Sequence, residues 1–140
     1  VRGNAMTSLS LRAGRLSVEL VPQAGGSIAR FRHDDADLLR PMTAEAIASG
    51  RGNEAACYPL VPFSNRIGQA SLVWRGTQHP LVRNNGDEPH AIHGVGWQRP
   101  WSVLDQDGTT AMLAYEQSLV AHVATDPAAA AAATLLLQDK

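Results

Sequence analysis

Apolar residues in this chain alternate with polar ones in brief runs, and Gly, Pro, Asn or Asp cuts each run short. That pattern excludes long amphipathic helices and calls for short strands joined by tight turns. Leu9 and Leu11, then Leu16, Val18 and Leu20, stand at period two, so each run is expected to bury one apolar face and expose a polar one. The Ala13-Gly14 step between them predicts a hairpin. Residues 22–26 predict a second turn, in which Gly25 and Gly26 can take positive φ without a Cβ penalty. Ser27–His33 reads as a third strand and residues 36–40 as a fourth, with Asp34 and Asp35 turning the chain between them. Residues 71–75 and 77–82 flank Gly76 as another hairpin. Residues 101–104 and 110–115 flank Asp107-Gly108, a strong hairpin dipeptide. In the first third of the chain only residues 43–49 suggest a helix, with Thr43 as N-cap and Gly50 as the stop. The predicted class over residues 7–116 is all-β.

At 140 residues the chain accommodates one domain, and folding at that size buries roughly 68–70% of the unfolded surface, enough for a core without staples. Cys57 is the sole cysteine, so no intramolecular disulfide forms. With no histidine beside it in sequence, Cys57 reads as a buried, inert thiol. Twelve basic against thirteen acidic residues leave a net charge of −1, which supplies no basic surface for nucleic acid or for an anionic membrane. The longest apolar stretch, residues 128–137, falls short of the ~18 residues of a membrane span. Residues 1–20 lack the apolar core of a signal peptide, so the expected location is the cytoplasm. Past Glu116 the turn punctuation gives way to an Ala-rich tail, residues 117–140, in which Pro127 capped by Asp126 would open a short helix.

Chemistry-bearing residues concentrate in Asn84-Asn85-Gly86-Asp87-Glu88-Pro89-His90-Ala91-Ile92-His93-Gly94, followed by Trp97 and Trp101. Long loops on a rigid scaffold are common seats of function. The imidazole of His93 can donate or accept a proton near neutral pH; the plainer reading makes His90 and His93 ordinary polar loop residues. Trp97 and Trp101 can stack on the apolar face of a sugar or fill the core, the commoner fate of an indole. Asn65 and Arg66 put an amide beside a guanidinium, a donor set suited to hydroxyl groups, with a surface ion pair as the alternative. His90 and His93 with His79, Asp87 or Glu88 offer nitrogen and oxygen ligands. His-x-x-His on a loop matches no strong zinc motif, however, and no metal is assigned. A Gly-x-Ser-x-Gly elbow, a phosphate loop and a dinucleotide fingerprint are absent.

Three segments in order, Leu60-Val61-Pro62-Phe63-Ser64-Asn65-Arg66-Ile67, Pro89-His90-Ala91-Ile92-His93-Gly94 and Trp97-Gln98-Arg99-Pro100-Trp101, resemble the aldose 1-epimerase (galactose mutarotase) family. Gly25-Gly26-Ser27-Ile28 is similar to an early turn of the same family. The resemblance runs from about residue 7 to about residue 116. It implies a galactose mutarotase-like antiparallel β-sandwich and a cofactor-free isomerase that interconverts the α and β anomers of a free aldose such as a hexose. Such a reaction needs a base for the anomeric hydroxyl and an acid for the ring oxygen.

By the same resemblance, Asn65 and Arg66 match the family's Asn-Arg pair, whose arginine contacts sugar hydroxyls. His93 matches the histidine of its His-Gly motif, a catalytic position that holds or polarises the sugar near the ring oxygen. Trp97 completes the expected substrate-binding set. The family's second histidine, its sugar-binding aspartate and its glutamate base lie downstream in full-length members, and His122, followed by Val123-Ala124, lacks the second histidine's context. The chain is therefore expected to be the N-terminal part of such a sandwich, residues 1–116, with residues 117–140 as a tail unlike the family and with catalysis incomplete. A sandwich cut in this way leaves strand edges unpaired and one core face uncovered, which predicts self-association. Two other readings stand beside it. One is a non-catalytic sugar-binding β-domain using Arg66, His93 and Trp97; the other is a metal-dependent jelly-roll enzyme using His90 and His93.

Overall fold

Strand β1 (Leu9–Ala13) turns through Gly14, at φ +59°, into β2 (Leu16–Val21), with Ala13 opposite Leu16. The computed structural model describes residues 8–116. After a short 3-10 turn and the left-handed Gly25 and Gly26, β3 (Ser27–His33) pairs antiparallel with β2, and β4 (Ala36–Asp37) pairs with β3 across the Asp34-Asp35 turn. The resulting four-stranded sheet keeps the chain order β1-β2-β3-β4. An ion pair from Arg15 to Asp34 ties the two hairpin turns at the same end of the sheet. The fourth strand stops before residues 38–40: the Leu38 amide still donates in register to the Phe31 carbonyl at 2.8 Å, but the Leu39 amide turns back to the same carbonyl at 3.5 Å and the ladder goes no further.

The helix α1 (Ala44–Ala48) forms where expected, with Thr43 Oγ1 accepting from the Ala46 amide at 3.1 Å and Gly50 ending the turn at φ +69°. Ala46 is fully buried and joins Val21, Ala24, Ala29, Met42 and Ala55 in the core, with Ile47 and Tyr58 packed against it. Ser27 Oγ, buried among them, donates to the carbonyls of Ala24 and Gly52, so its burial leaves no unpaired hydroxyl.

Two expectations are corrected here. Leu16 is 39% exposed, and Leu9, Leu11, Val18 and Leu20 are only half-buried. Of the sheet's buried residues, Val21, Ser27 and Ala29, the two apolar ones pack with Ala46 of α1 and with Ala55. A register shift between Glu19 and Leu20 interrupts the β2–β3 alternation, so burial does not follow the strand alternation alone. Cys57 is exposed: its carbonyl accepts from the Ile28 amide at 3.0 Å, fixing the backbone while Ala55 and Tyr58 take the positions against the core.

The rest of the described chain consists of short antiparallel pairs. Strands β5 (Arg66–Ile67) and β8 (Ala91–Ile92) pair with Arg66 opposite Ile92; β6 (Ser71–Trp74) and β7 (Thr77–Pro80) form a hairpin; β9 (Ser102–Gln106) and β10 (Ala111–Ala114) form another, with a bulge at Met112/Leu113. Strands β6, β7 and β10 lie within the predicted segments, whereas β9 runs past its own, from Ser102 to Gln106; β7 ends at Pro80, before residues 81–82, although the Leu81 amide still donates in register to the Ala70 carbonyl at 2.7 Å. Strand β8 lies within the polar segment of residues 84–94, where the sequence predicts only loop. No helix among the described residues is long and apolar enough to cross a membrane. The tail with Asp126 and Pro127, and His122, lie outside the described residues.

Candidate functional site

The β5–β8 pair brings together two segments that are far apart in sequence, residues 61–67 and 90–94. Asn65, at φ +61°, presents its carbonyl to the His93 amide at 2.9 Å, and Val61 forms a parallel bridge to Gly94. The Val61–Pro62 peptide bond is cis. Gly94 stands at φ +67°, and a Cβ there would overlap the Val61 carbonyl and Pro62 Cδ; only glycine meets both the dihedral and the approach. His93 itself sits at φ +56°, sparsely populated for a residue with a side chain. Its Nδ1 is buried without a hydrogen-bond partner among the described residues.

A 3-10 turn, Gly96–Gln98, follows, and Trp97 at its centre is 6% exposed. Its backbone lies against Gly25 and Gly52, where any Cβ would collide with it, while the second glycine of the early turn, Gly26, lies against the Trp101 ring. Trp97 Nε1 donates to the Ile92 carbonyl at 3.3 Å. The Tyr58 ring meets His93 edge-on at 6.1 Å between centroids and lies 6.5 Å from Trp97. Together these groups line a cavity of about 200 Å³ whose walls are Asn53, Tyr58, Arg66, Asn85, Ile92, His93 and Trp97.

Three of the four residues expected at the site, Arg66, His93 and Trp97, thus share one cavity. Asn65 is outside its lining and supports it from behind, through its carbonyl to His93 and its side-chain oxygen, which lies 3.5 Å from Arg66 Nη1. Asn53, Tyr58 and Asn85 were missed. Asn85 lay within the polar loop already singled out, whereas Asn53 and Tyr58 reach the cavity only because Gly52 packs on Trp97. Trp101 stacks on Tyr115 at 5.8 Å and donates through Nε1 to the Gly96 carbonyl at 2.9 Å, away from the cavity.

A carboxylate stands behind the guanidinium. Glu88 Oε1 lies 3.4 Å from Arg66 Nε and 3.7 Å from His90 Nε2. The Gln69 amide donates to His90 Nδ1 at 3.0 Å, so a neutral His90 carries its proton on Nε2, toward Glu88. His90 therefore backs the site instead of lining it. Among the described residues, no group of three or more His, Cys, Asp or Glu is placed to hold a metal ion.

The cavity is walled by one guanidinium, two side-chain amides, an imidazole, two aromatic rings and the Ile92 side chain, and the described strands pair antiparallel. The sequence profile of aldose 1-epimerases matches residues 7–125, and the chain belongs to that family. The match runs past residue 116 into the segment read as a tail. The chain is 35% identical over 111 residues to the uncharacterized Escherichia coli K12 protein YphB, covering 79% of this chain and 37% of that protein. A crystal structure from Escherichia coli K12, described as a candidate aldose 1-epimerase, superposes with a TM-score of 0.72 at 35% identity, over 80% of this chain and 37% of the other. A GalM/aldose epimerase homologue from C. elegans, at 20% identity, superposes with a TM-score of 0.58 over 79% and 36% of the two chains, which shows the shared fold. The described architecture is the antiparallel β fold of these galactose mutarotase-like proteins. The chain spans little more than a third of the length of the relatives it matches.

Proposed function

We propose that the cavity holds the pyranose ring of a free aldose and that this chain is the sugar-holding part of an aldose 1-epimerase, acting in the cytoplasm. The observation that carries the reading is the convergence of Arg66, His93 and Trp97 on one cavity in a member of this family. Arg66, Asn53 and Asn85 donate hydrogen bonds to ring hydroxyls, and the indole of Trp97 and the ring of Tyr58 offer apolar surface to the C–H face of the sugar. Anomer exchange removes the proton of the C1 hydroxyl, breaks the bond from C1 to the ring oxygen as the carbonyl forms, and protonates that oxygen. After rotation about the C1–C2 bond, the reverse steps close the ring. His93 is the lining residue suited to polarise or protonate the ring oxygen. No carboxylate lines the cavity among the described residues, and the 140-residue chain is expected to bind aldose while exchanging its anomers slowly.

Isothermal titration of the chain with galactose and glucose tests this. Saturable binding is expected, weakened in His93→Ala by about 1–3 kcal/mol for the lost hydrogen-bonding group; unchanged affinity in that variant removes His93 from the site. Anomer exchange accelerated by the chain and lost in His93→Ala would place both acid and base within these residues. Val73, Leu104 and Met112 are more than half exposed, and we propose that their faces associate with a second copy when the chain is alone. Size-exclusion chromatography is expected to show concentration-dependent oligomers; a compact, concentration-independent monomer contradicts this.

A further inference from the structure

We propose that Asn84, which lies outside the cavity's lining, is a positioning residue that sets the orientation of His93. The functional half of this inference rests on the sugar-site reading above. The carboxamide of Asn84 makes three hydrogen bonds to the two residues that flank His93. Its Nδ2 donates to the Ile92 carbonyl at 2.7 Å and to the Gly94 carbonyl at 2.6 Å, and its Oδ1 accepts from the Ile92 amide at 2.8 Å. Ile92 pairs with Arg66 on one edge of β8, and on its other edge the side-chain amide takes the place a neighbouring strand's peptide would occupy.

The geometry leaves no freedom in the choice of residue. One acceptor and two donors are required on a single short stem, a set that only a carboxamide provides. Aspartate matches the shape but has no donor and would set a charge against two carbonyl oxygens. Glutamine is a methylene too long. The residue between the two anchored positions is His93, at φ +56°, and pinning both its neighbours fixes where its imidazole points. The same hub reaches other walls of the cavity. The Ile92 carbonyl also receives Trp97 Nε1 at 3.3 Å, Gln98 Nε2 donates to the Asn84 carbonyl at 2.9 Å, and the next residue along the chain, Asn85, lines the cavity.

The test is NMR of the chain with ring-labelled histidine, as wild type and as Asn84→Asp, combined with galactose titration. The expected result is a displaced His93 ring signal with those of His33 and His79 unmoved, and at least a tenfold loss of galactose affinity, in a variant whose spectrum stays dispersed. A dispersed Asn84→Asp spectrum with His93 unmoved overturns the proposal, as does a uniform change in all the histidines, which marks a merely structural residue. Should the variant not fold, the wild type decides: slowly exchanging Asn84 side-chain amide protons with cross-peaks to Gly94 are expected, and fast exchange without them overturns the proposal. If wild-type chain takes no galactose, the sugar reading fails, and the His93 signal still decides the role of Asn84.

Discussion

Replacing Gly94 with alanine is expected to be among the most damaging single-methyl additions in the described chain, and a matched control isolates the reason. Gly94 and Gly14 have similar dihedrals, φ +67° and +59°, but a Cβ at Gly14 meets nothing within 4 Å, whereas one at Gly94 overlaps the Val61 carbonyl and Pro62 Cδ. Both variants incur the left-handed penalty of about 1–2 kcal/mol. Gly94→Ala must also displace Val61, whose carbonyl accepts from the Gly96 amide at 3.0 Å. That adds about 1 kcal/mol for the hydrogen bond and about 1–3 kcal/mol for overpacking. The difference between the two variants is therefore about 2–4 kcal/mol, a large part of the roughly 5–15 kcal/mol that holds a typical domain together. Urea denaturation followed by tryptophan fluorescence measures it. Equal midpoints for Gly94→Ala and Gly14→Ala would refute the claim that close approach, and not φ alone, dictates glycine beside His93.

Thr43→Ala is expected to lower stability by about 1 kcal/mol through loss of the cap on Ala46, and Thr43→Ser to retain it, as thermal melts will show. Asp107 accepts from the Thr109 hydroxyl and from the Thr109 and Thr110 amides at 2.7–2.8 Å, and these bonds, the hydroxyl's first, hold its carboxyl well below the ordinary aspartate range. A depressed folded-state value means that the stabilisation is present above the unfolded aspartate pKa, near 3.9, and is lost only as pH falls through the lower folded value. A carbon-detected titration of Asp107 with a midpoint at the ordinary aspartate value would contradict this. Arg66→Lys is expected to weaken aldose binding severalfold in calorimetry, because a point charge replaces a planar fork that Glu88 holds through Nε; equal affinity would mean that charge alone suffices.

The hairpins were legible because their turns carry their own instructions: Ala13-Gly14, Asp34-Asp35, Gly76 and Asp107-Gly108 each sit where a tight reversal needs positive φ or a side-chain acceptor. Thr43 marked the helix start for the same local reason. Burial was less legible, because whether Leu16 or Val21 is covered depends on where α1 lands and not on either residue's own strand. Arg66, His93 and Trp97, one from each of the three motifs, line one cavity. Asn53 and Tyr58 stayed hidden because their approach depends on Gly25 and Gly52 admitting the Trp97 backbone, a contact without a local sequence signal. Strand β8 was hidden because a two-residue pairing with β5 leaves no alternating pattern to read.

The most direct test of the account is a galactose titration of the labelled chain, reading the Trp97 indole N–H and the His93 ring together. Both signals are expected to move along one saturable curve while the Trp101 indole, outside the cavity, stays in place. A dispersed spectrum in which neither Trp97 nor His93 responds to saturating galactose or glucose would contradict it.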